Sequence, residues 1–328
     1  MRKIDAFAHI LPRKYRDRLE RQLEGAISSR QLRYYREGVF DFDPSLTDLD
    51  ARWRSLEAFA DYAQVLVLAV PPLEETGPPA VAAELARLAN DEMAELVQRH
   101  PDRFVGFAAA LPLNDTEAAL EEIDHAVNEL HALGAQVYTN MLGTALDDPR
   151  FEPIFARMES MGRTVWLHPT RNATWRDYPT ETESDYGLWW SIGWPYETAA
   201  ALSRLVYSGT MERHPNLKLI AHHGAGMVPH FSGRLAMGPG FRQVKDLLPR
   251  PPLDYFRRFY ADTALFGAPH AVRCVLDFFG SDHVVFGTDM PLGPAGTIKA
   301  TIADIDAAGL PDKDRSTVYA DTAERLFL

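Results

Sequence analysis

Short apolar runs alternate with helix-like segments along most of the chain. The runs are almost continuously apolar, which is typical of strands buried on both faces of a parallel sheet. Eight strands are predicted, at 3–9, 63–70, 104–109, 134–138, 164–168, 217–223, 259–262 and 284–286. Apolar residues at helical spacing predict amphipathic helices at 79–99, 115–133, 148–161, 198–211, 298–308 and 313–326.

This alternation of strands and helices is the pattern of repeated βαβ units. Eight such pairs fit one (β/α)₈ TIM barrel, and a chain of 328 residues fits one such domain spanning 1–328. The segment 11–45, after the first strand, is charge-rich and is expected to be an irregular insertion that serves as a lid or as a dimer arm. A C-terminal helix would close the fold.

Four predicted strands end in side chains that bind metals or transfer protons. His9, His168 and His223 end or follow strands one, five and six, and Asp289 follows strand eight in a turn bounded by glycine and proline. The C-terminal ends of all barrel strands meet at one mouth. Because imidazole and carboxylate groups suit zinc and similar ions, the sequence predicts one divalent metal there, with zinc as the default.

Composition and charge narrow the classes of function. The formal charge of −12 and the absence of a basic stripe argue against nucleic-acid binding. No apolar run approaches the roughly 20 residues that span a bilayer, and the N-terminus lacks a signal-peptide pattern, so a cytoplasmic protein is expected. The single cysteine, Cys274, lies in a helix-like stretch and is interpreted as a small buried apolar residue.

Several motifs resemble the amidohydrolase superfamily, in its branch related to aminocarboxymuconate-semialdehyde, resorcylate and carboxyvanillate decarboxylases. The similarity covers essentially the whole chain and is carried by 4–12, 194–199, 208–218, 222–224 and 286–289. The resemblance implies metal ligands on the first strand, at His168 and at Asp289, and a catalytic acid or base on strand six. It also admits manganese, which close relatives use.

Two histidines compete for the strand-six role. In the family pattern the histidine falls six residues after a leucine and six before a proline, and counting from Leu217 and from Pro229 selects His223 in both cases. His222 would then point into the barrel wall, although a one-residue bulge would exchange the two.

The first strand departs from the family pattern. Where the family carries two ligands separated by one residue, this chain has Phe7, Ala8 and His9, and phenylalanine cannot coordinate a metal. Three ligands, His9, His168 and Asp289, would still make a catalytic site with an open position. Asp5 is expected to be a structural carboxylate.

The resemblance also suggests substrate-binding residues. Arg52 and Arg234 fall where substrate-carboxylate arginines are placed, the second reaching in from a partner subunit, which implies a homodimer. Trp194, with its neighbours Trp189 and Trp190, lies in a long segment that would cover the site, and Asn140 follows strand four. The competing interpretations are helix-surface roles for the arginines, interface packing for the tryptophans and a turn-stabilising role for the asparagine.

The leading hypothesis is a metal-dependent, non-oxidative decarboxylase of an aromatic or muconate-like carboxylic acid. His223 and Asp289 would handle the proton. The alternatives are a hydrolase of a lactone or amide that uses the same metal, and a non-catalytic barrel that lost its metal when position 7 became phenylalanine.

Overall fold

A computed structural model of the chain describes residues 1–238 and 247–327. Eight parallel strands follow one another around the barrel in chain order, as predicted. They are β1 (Lys3–Ile10), β2 (Tyr62–Leu68), β3 (Phe104–Ala110), β4 (Gly134–Tyr138), β5 (Thr164–His168), β6 (Lys218–Ala221), β7 (Tyr260–Asp262) and β8 (Val284–Val285). A two-stranded hairpin, Asn140–Met141 with Thr144–Ala145, lies beyond β4.

The first strand closes the barrel against the segment that follows β8. The backbone N–H of Ala6 donates to the carbonyl of Phe286 at 2.8 Å, and that of His9 donates to the carbonyl of Met290 at 2.7 Å. A parallel bridge joins Ala8 to Met290. The first and last strands of the barrel therefore meet, and residues some 280 positions apart in sequence become neighbours in space.

The barrel interior is filled at its N-terminal end. The indole Nε1 of Trp166 donates to the carbonyl of Ala6 at 2.9 Å, and its ring lies 5.1 Å from that of Phe327. Phe327 belongs to the C-terminal helix, which packs with the apolar residues inside the barrel. Among the described residues, the opposite end, where the strands finish, is the end of the barrel that is left open for a site.

The helices lie mostly where the apolar spacing predicts them. The main ones are Pro79–Arg99, Thr116–Asn128, Glu152–Ser160, Leu188–Ser191, Gly193–Tyr207, Thr210–Arg213, Val228–Leu235, Pro252–Phe256, Pro269–Phe279 and Thr297–Ala307. The predicted C-terminal helix is divided into Asp312–Ser316, a π-helical turn at Thr317–Asp321, and Thr322–Phe327. No helix in the described ranges is both long and apolar enough to traverse a bilayer. Organisation as a single domain stays a prediction.

The expectation of an irregular insertion at 11–45 was wrong. The segment forms helices at Arg13–Leu23 and Ser29–Tyr35, a π-helical turn at Arg36–Phe40 and a short 3₁₀ helix at Pro44–Leu46. Tyr15, Leu19 and Leu23 are spaced four apart and are fully buried. This narrow apolar stripe was hidden by the charged residues between its members.

One acidic side chain is buried without a partner. Glu74 lies in the short 3₁₀ helix Leu73–Glu75 after β2, is 3% exposed, and neither of its carboxyl oxygens has a hydrogen-bond partner. Burial raises the pKa of this carboxyl from 4.5 to about 8. The group is therefore neutral in the folded protein at pH 7.

Replacing Glu74 by glutamine should remove a pH-dependent loss of stability. Between pH 5 and pH 8 the unfolded chain releases the Glu74 proton while the folded chain keeps it, so the wild type loses about 1.4 kcal/mol of unfolding free energy per pH unit relative to Glu74→Gln. Urea denaturation at both pH values measures the difference. Glu121→Gln, at an exposed position, is the control, and a stability gain for Glu74→Gln that does not grow with pH contradicts this account.

Candidate metal centre and active site

Four side chains meet at the C-terminal mouth of the barrel. Nε2 of His9 and Nε2 of His222 lie 3.0 Å and 3.4 Å from Oδ1 of Asp289. His9, His168 and His222 each place one ring nitrogen in a common cluster, and these three nitrogens lie within 4.8 Å of one another. The sequence-predicted ligands on β1, β5 and the turn after β8 are thus brought together, and His222 joins them.

Asp5 holds two of the contributing elements in place. Its carboxylate accepts hydrogen bonds from the backbone N–H of Thr288 at 3.0 Å, from the Thr288 hydroxyl and from the Tyr62 hydroxyl. Burial raises the pKa of Asp5 to about 6, against the opposing effect of these hydrogen bonds. Asp5 therefore fixes the turn that carries Asp289 against β1, which is the structural role expected of it.

The donor set fits a divalent metal. Nδ1 of His168 lies 2.7 Å from the carbonyl of Pro169, which can only accept, so Nδ1 carries the proton and Nε2 keeps a free lone pair. Nδ1 of His9 is buried without a hydrogen-bond partner, and its Nε2 faces the Asp289 carboxylate. Buried imidazole nitrogens that converge on a carboxylate in this way are what a metal would satisfy.

The protonation states suit ligation. Burial and the neighbouring imidazoles lower the pKa of His168 well below its usual value. Burial alone would raise the pKa of Asp289, but hydrogen bonds and charge from His222 and His9 outweigh it and lower the pKa well below the usual range. A neutral imidazole and an ionised carboxylate are the forms that bind metals.

Phe7 lies beside the cluster of His and Asp side chains. Its ring packs with the apolar residues inside the barrel and lies parallel to the ring of His222 at a centroid distance of 4.0 Å. The aromatic face thus covers one side of the His222 imidazole and offers no ligand atom.

The expectation that His222 points into the barrel wall was wrong. Strand β6 ends at Ala221, and His223 and Gly224 take left-handed backbone angles, with φ of 54° and 62°. A Cβ at Gly224 would lie 2.8 Å from Val275, so only glycine fits this turn. The turn brings both histidines to the mouth, with their rings 3.7 Å apart, which counting along an extended strand could not anticipate.

The two histidines differ in their partners and in their pKa values. Nδ1 of His223 donates to the carbonyl of Ala264 at 3.0 Å, and burial together with the charge of His222 lowers the pKa of His223 to about 4. Burial opposes protonation of His222, yet Asp262 at its Nδ1 and Asp289 at its Nε2 raise its pKa to about 9. Sequence reasoning missed Asp262, although it ends a predicted strand, as the other site residues do.

A cavity of about 610 Å³ opens over the cluster. His168, His223 and Asp289 form its polar end. The insertion at 11–45 supplies Tyr34, Val39 and Phe42 to the wall, and the loops after β7 and β8 supply Phe266 and Leu292 among others. A volume of this size suits a small-molecule ligand. The role of the insertion as a lid stays a prediction.

Two of the predicted tryptophans, Trp190 and Trp194, line the cavity. The Trp194 ring lies edge-on to the His168 ring, with 5.5 Å between the ring centroids. Asn140 is not among the lining residues; its amide bonds the carbonyl of Thr170 at 3.0 Å and the backbone N–H of Gly143 at 2.8 Å. These contacts fit the turn-stabilising interpretation of Asn140, and a contact with substrate stays a prediction.

Neither predicted arginine borders the cavity. The Arg52 guanidinium is fully buried and donates to the carbonyls of His9 at 2.9 Å and Ser45 at 3.2 Å and to the Gln64 side chain at 2.8 Å. Arg234 is exposed on the helix Val228–Leu235. Contact of either arginine with a substrate carboxylate therefore stays a prediction.

Comparison with known proteins places the chain in a family. The model of the Amidohydrolase family matches residues 4–328. A 2-amino-3-carboxymuconate-6-semialdehyde decarboxylase of Dictyostelium discoideum is 31% identical over 310 residues, which cover 90% of this chain and 83% of that protein. The chain belongs to the amidohydrolase family.

Two further proteins extend the comparison. A gamma-resorcylate decarboxylase of a Rhizobium species is 30% identical over 292 residues, which cover 85% of this chain and 86% of that protein. A 5-carboxyvanillate decarboxylase of Novosphingobium aromaticivorans, solved with bound manganese, superimposes with a TM-score of 0.86 at 22% identity, over 99% of this chain and 97% of that one. This last likeness establishes the shared barrel fold.

Replacing Phe7 by histidine should strengthen metal binding. The new imidazole would stand beside the predicted ligands, and one additional ligand should raise affinity for the metal at least about tenfold. Competition with a chromophoric chelator measures the affinity. Phe7→Leu removes the aromatic ring without adding a ligand and is the control; equal affinities of Phe7→His and Phe7→Leu contradict the placement of Phe7 at a ligand position.

Proposed function

We propose that this member of the amidohydrolase family is a metal-dependent, non-oxidative decarboxylase of an aromatic or muconate-like carboxylic acid. The proposal rests on one observation: a cluster of His and Asp side chains borders a largely apolar cavity of about 610 Å³. The relatives that cover most of the chain, named above, are decarboxylases of such acids.

His9, His168 and Asp289 would hold one divalent ion. When bound, the ion supplies a Lewis acid that orients the substrate carboxylate and neutralises a neighbouring oxygen. Zinc is the default for this donor set, and manganese is the alternative, which the bound manganese of the carboxyvanillate enzyme supports. His222 adjoins the same donor atoms.

His223 and Asp289 would handle the proton. Because Nδ1 of His223 donates to the carbonyl of Ala264, its Nε2 is the atom that can accept a proton and return it. A proton adds to the ring carbon that bears the carboxylate, the bond to the carboxylate breaks, and its electron pair returns to the ring as carbon dioxide leaves. The reaction consumes no oxidant, and the proton is replaced from water.

Further contacts belong to the proposal. Trp194 would pack against the substrate ring, and Arg234 of a second copy of the chain would bind a substrate carboxylate. The side chains of Arg52 and Asn140 bond protein atoms outside the cavity, so contact of either with the substrate would require those bonds to be exchanged. A cytoplasmic location is also proposed, and the lone Cys274 supports it because cytoplasmic proteins rarely depend on disulfides.

Carbon dioxide release from a panel of hydroxylated aromatic acids tests the reaction. The metal-loaded wild type should release one carbon dioxide per molecule of phenolic product, and His168→Ala should lose both the metal and the release. His125→Ala, on an outer helix, is the control and should keep both. Hydrolysis of lactones or amides without carbon dioxide release would favour the hydrolase instead.

Replacing His223 by glutamine should lower kcat by about 10²- to 10⁴-fold, the usual contribution of a positioned acid or base. Metal content and unfolding free energy should stay near those of the wild type. Kinetics and elemental analysis measure these quantities. The roles of the two histidines are exchanged if His222→Gln lowers kcat without loss of metal and His223→Gln leaves kcat unchanged.

We also propose a homodimer. Large apolar side chains are exposed along one part of the chain, at Trp190, Ile192, Tyr196, Phe231 and Met237, and a second copy would cover them. Light scattering should give twice the monomer mass of 36.8 kDa. Phe231→Asp should shift the mass toward the monomer, and a monomeric wild type at micromolar concentration contradicts the proposal.

A further inference from the structure

His222 faces the donor atoms of the metal centre, whereas its neighbour His223 faces the cavity. His223 is among the residues that line the cavity, and the fully buried His222 is not. One ring nitrogen of His222 lies within 4.8 Å of a ring nitrogen of His9 and of one of His168. The proton transfer proposed for His223 therefore leaves the His222 imidazole without a role.

The hydrogen bonding of His222 is that of a metal ligand. Its Nδ1 is bonded to Asp262, whose carboxylate also accepts from the backbone N–H of Gly224 at 2.9 Å and from that of Ala264 at 3.3 Å. A carboxylate that holds one ring nitrogen of a histidine fixes the orientation of the ring and leaves the other nitrogen for a metal. That other atom, Nε2, is the one that faces Asp289.

The spacing of the donor atoms matches a coordination shell. An ion bound about 2.0–2.1 Å from each ligand atom holds neighbouring ligand atoms about 3.0–3.4 Å apart, from octahedral to tetrahedral geometry. Nε2 of His222 lies 3.4 Å from Oδ1 of Asp289, and Nε2 of His9 lies 3.0 Å from the same oxygen. Because 3.4 Å is long for a direct hydrogen bond, the His222 distance fits two ligands of one ion better.

We propose that His222 supplies the metal ligand that the first strand lacks at Phe7. The inference rests on the proposed function, because it adds a fourth ligand to the ion that His9, His168 and Asp289 would hold. The Phe7 ring lies parallel to the His222 imidazole, with 4.0 Å between the ring centroids. The phenylalanine thus supports, from the first strand, a ligand that comes from the turn after β6.

The charges around His222 favour a cation at its Nε2. Asp262 and Asp289 stand at the two ring nitrogens, and both carboxylates are buried, where charge interactions are stronger than in water. In the metal-free protein these carboxylates favour a proton on the imidazole. A divalent ion is attracted by the same two groups, and its binding would release that proton to water.

Manganese affinity tests the inference, measured by competition with a chromophoric chelator. His222→Gln should bind manganese at least about tenfold more weakly than the wild type, because one ligand is lost. His223→Gln makes the same substitution at the neighbouring histidine and is the control; it should keep the wild-type affinity. An affinity for manganese in His222→Gln equal to that of the wild type contradicts the inference.

A second substitution separates a ligand from a structural residue. Phe7→His in the His222→Gln background restores an imidazole on the first strand and should recover at least about tenfold in affinity for manganese. Phe7→Leu in the same background adds no ligand and should recover nothing. A loss in His222→Gln that Phe7→His does not recover contradicts the replacement of one ligand by the other.

Pulsed electron paramagnetic resonance of the manganese-loaded protein counts the bound imidazoles directly. With ¹⁵N-labelled histidine, the wild type should show three coordinated imidazoles, from His9, His168 and His222, and His222→Gln should show two. Two in the wild type would contradict the inference and leave the proposed function intact. A wild type that binds no divalent metal would contradict the metal-dependent function itself.

Discussion

The closure of the barrel between its first strand and the turn after its last strand is the constraint on which the site depends. Asp5 makes this closure specific, because its buried carboxylate accepts hydrogen bonds from Thr288 and Tyr62 at once. Without that connection, His9 and Asp289 would belong to opposite edges of an open sheet. With it, their side chains lie 3.0 Å apart.

The site concentrates unusual backbone and electrostatic features in a few residues. Asp289 and His223 both have positive φ angles, which are costly for side chains other than glycine and are found where function requires them. His222 is enclosed by Phe7 on one face and His223 on the other, with carboxylates near both of its ring nitrogens. This arrangement places charge beside the donor cluster among buried side chains, where electrostatic interactions are stronger than in water.

The fold and the meeting of His9, His168 and Asp289 at one mouth could be predicted from sequence because they depend on local signals. Buried strands appear as apolar runs, and His9, His168 and Asp289 each follow such a run. The position of His222 could not be predicted, since it follows from a left-handed turn that only the surrounding packing at Gly224 enforces. The helical insertion was missed for a different reason, because three buried residues among many charges give a weak periodic signal.

The burial of Arg52 shows a further limit of sequence reasoning. A motif can place an arginine near a site, but only packing decides whether its guanidinium meets substrate or backbone carbonyls. Here three protein oxygens hold it, one of them the backbone carbonyl of His9.

Anomalous diffraction from crystals grown with manganese tests whether His9, His168 and Asp289 hold a metal in a barrel with phenylalanine at position 7. We expect one strong peak per chain within coordination distance of these three side chains, with the Phe7 ring in place beside His222. No peak at full manganese loading, or a peak that Asp289 does not coordinate, would contradict this expectation.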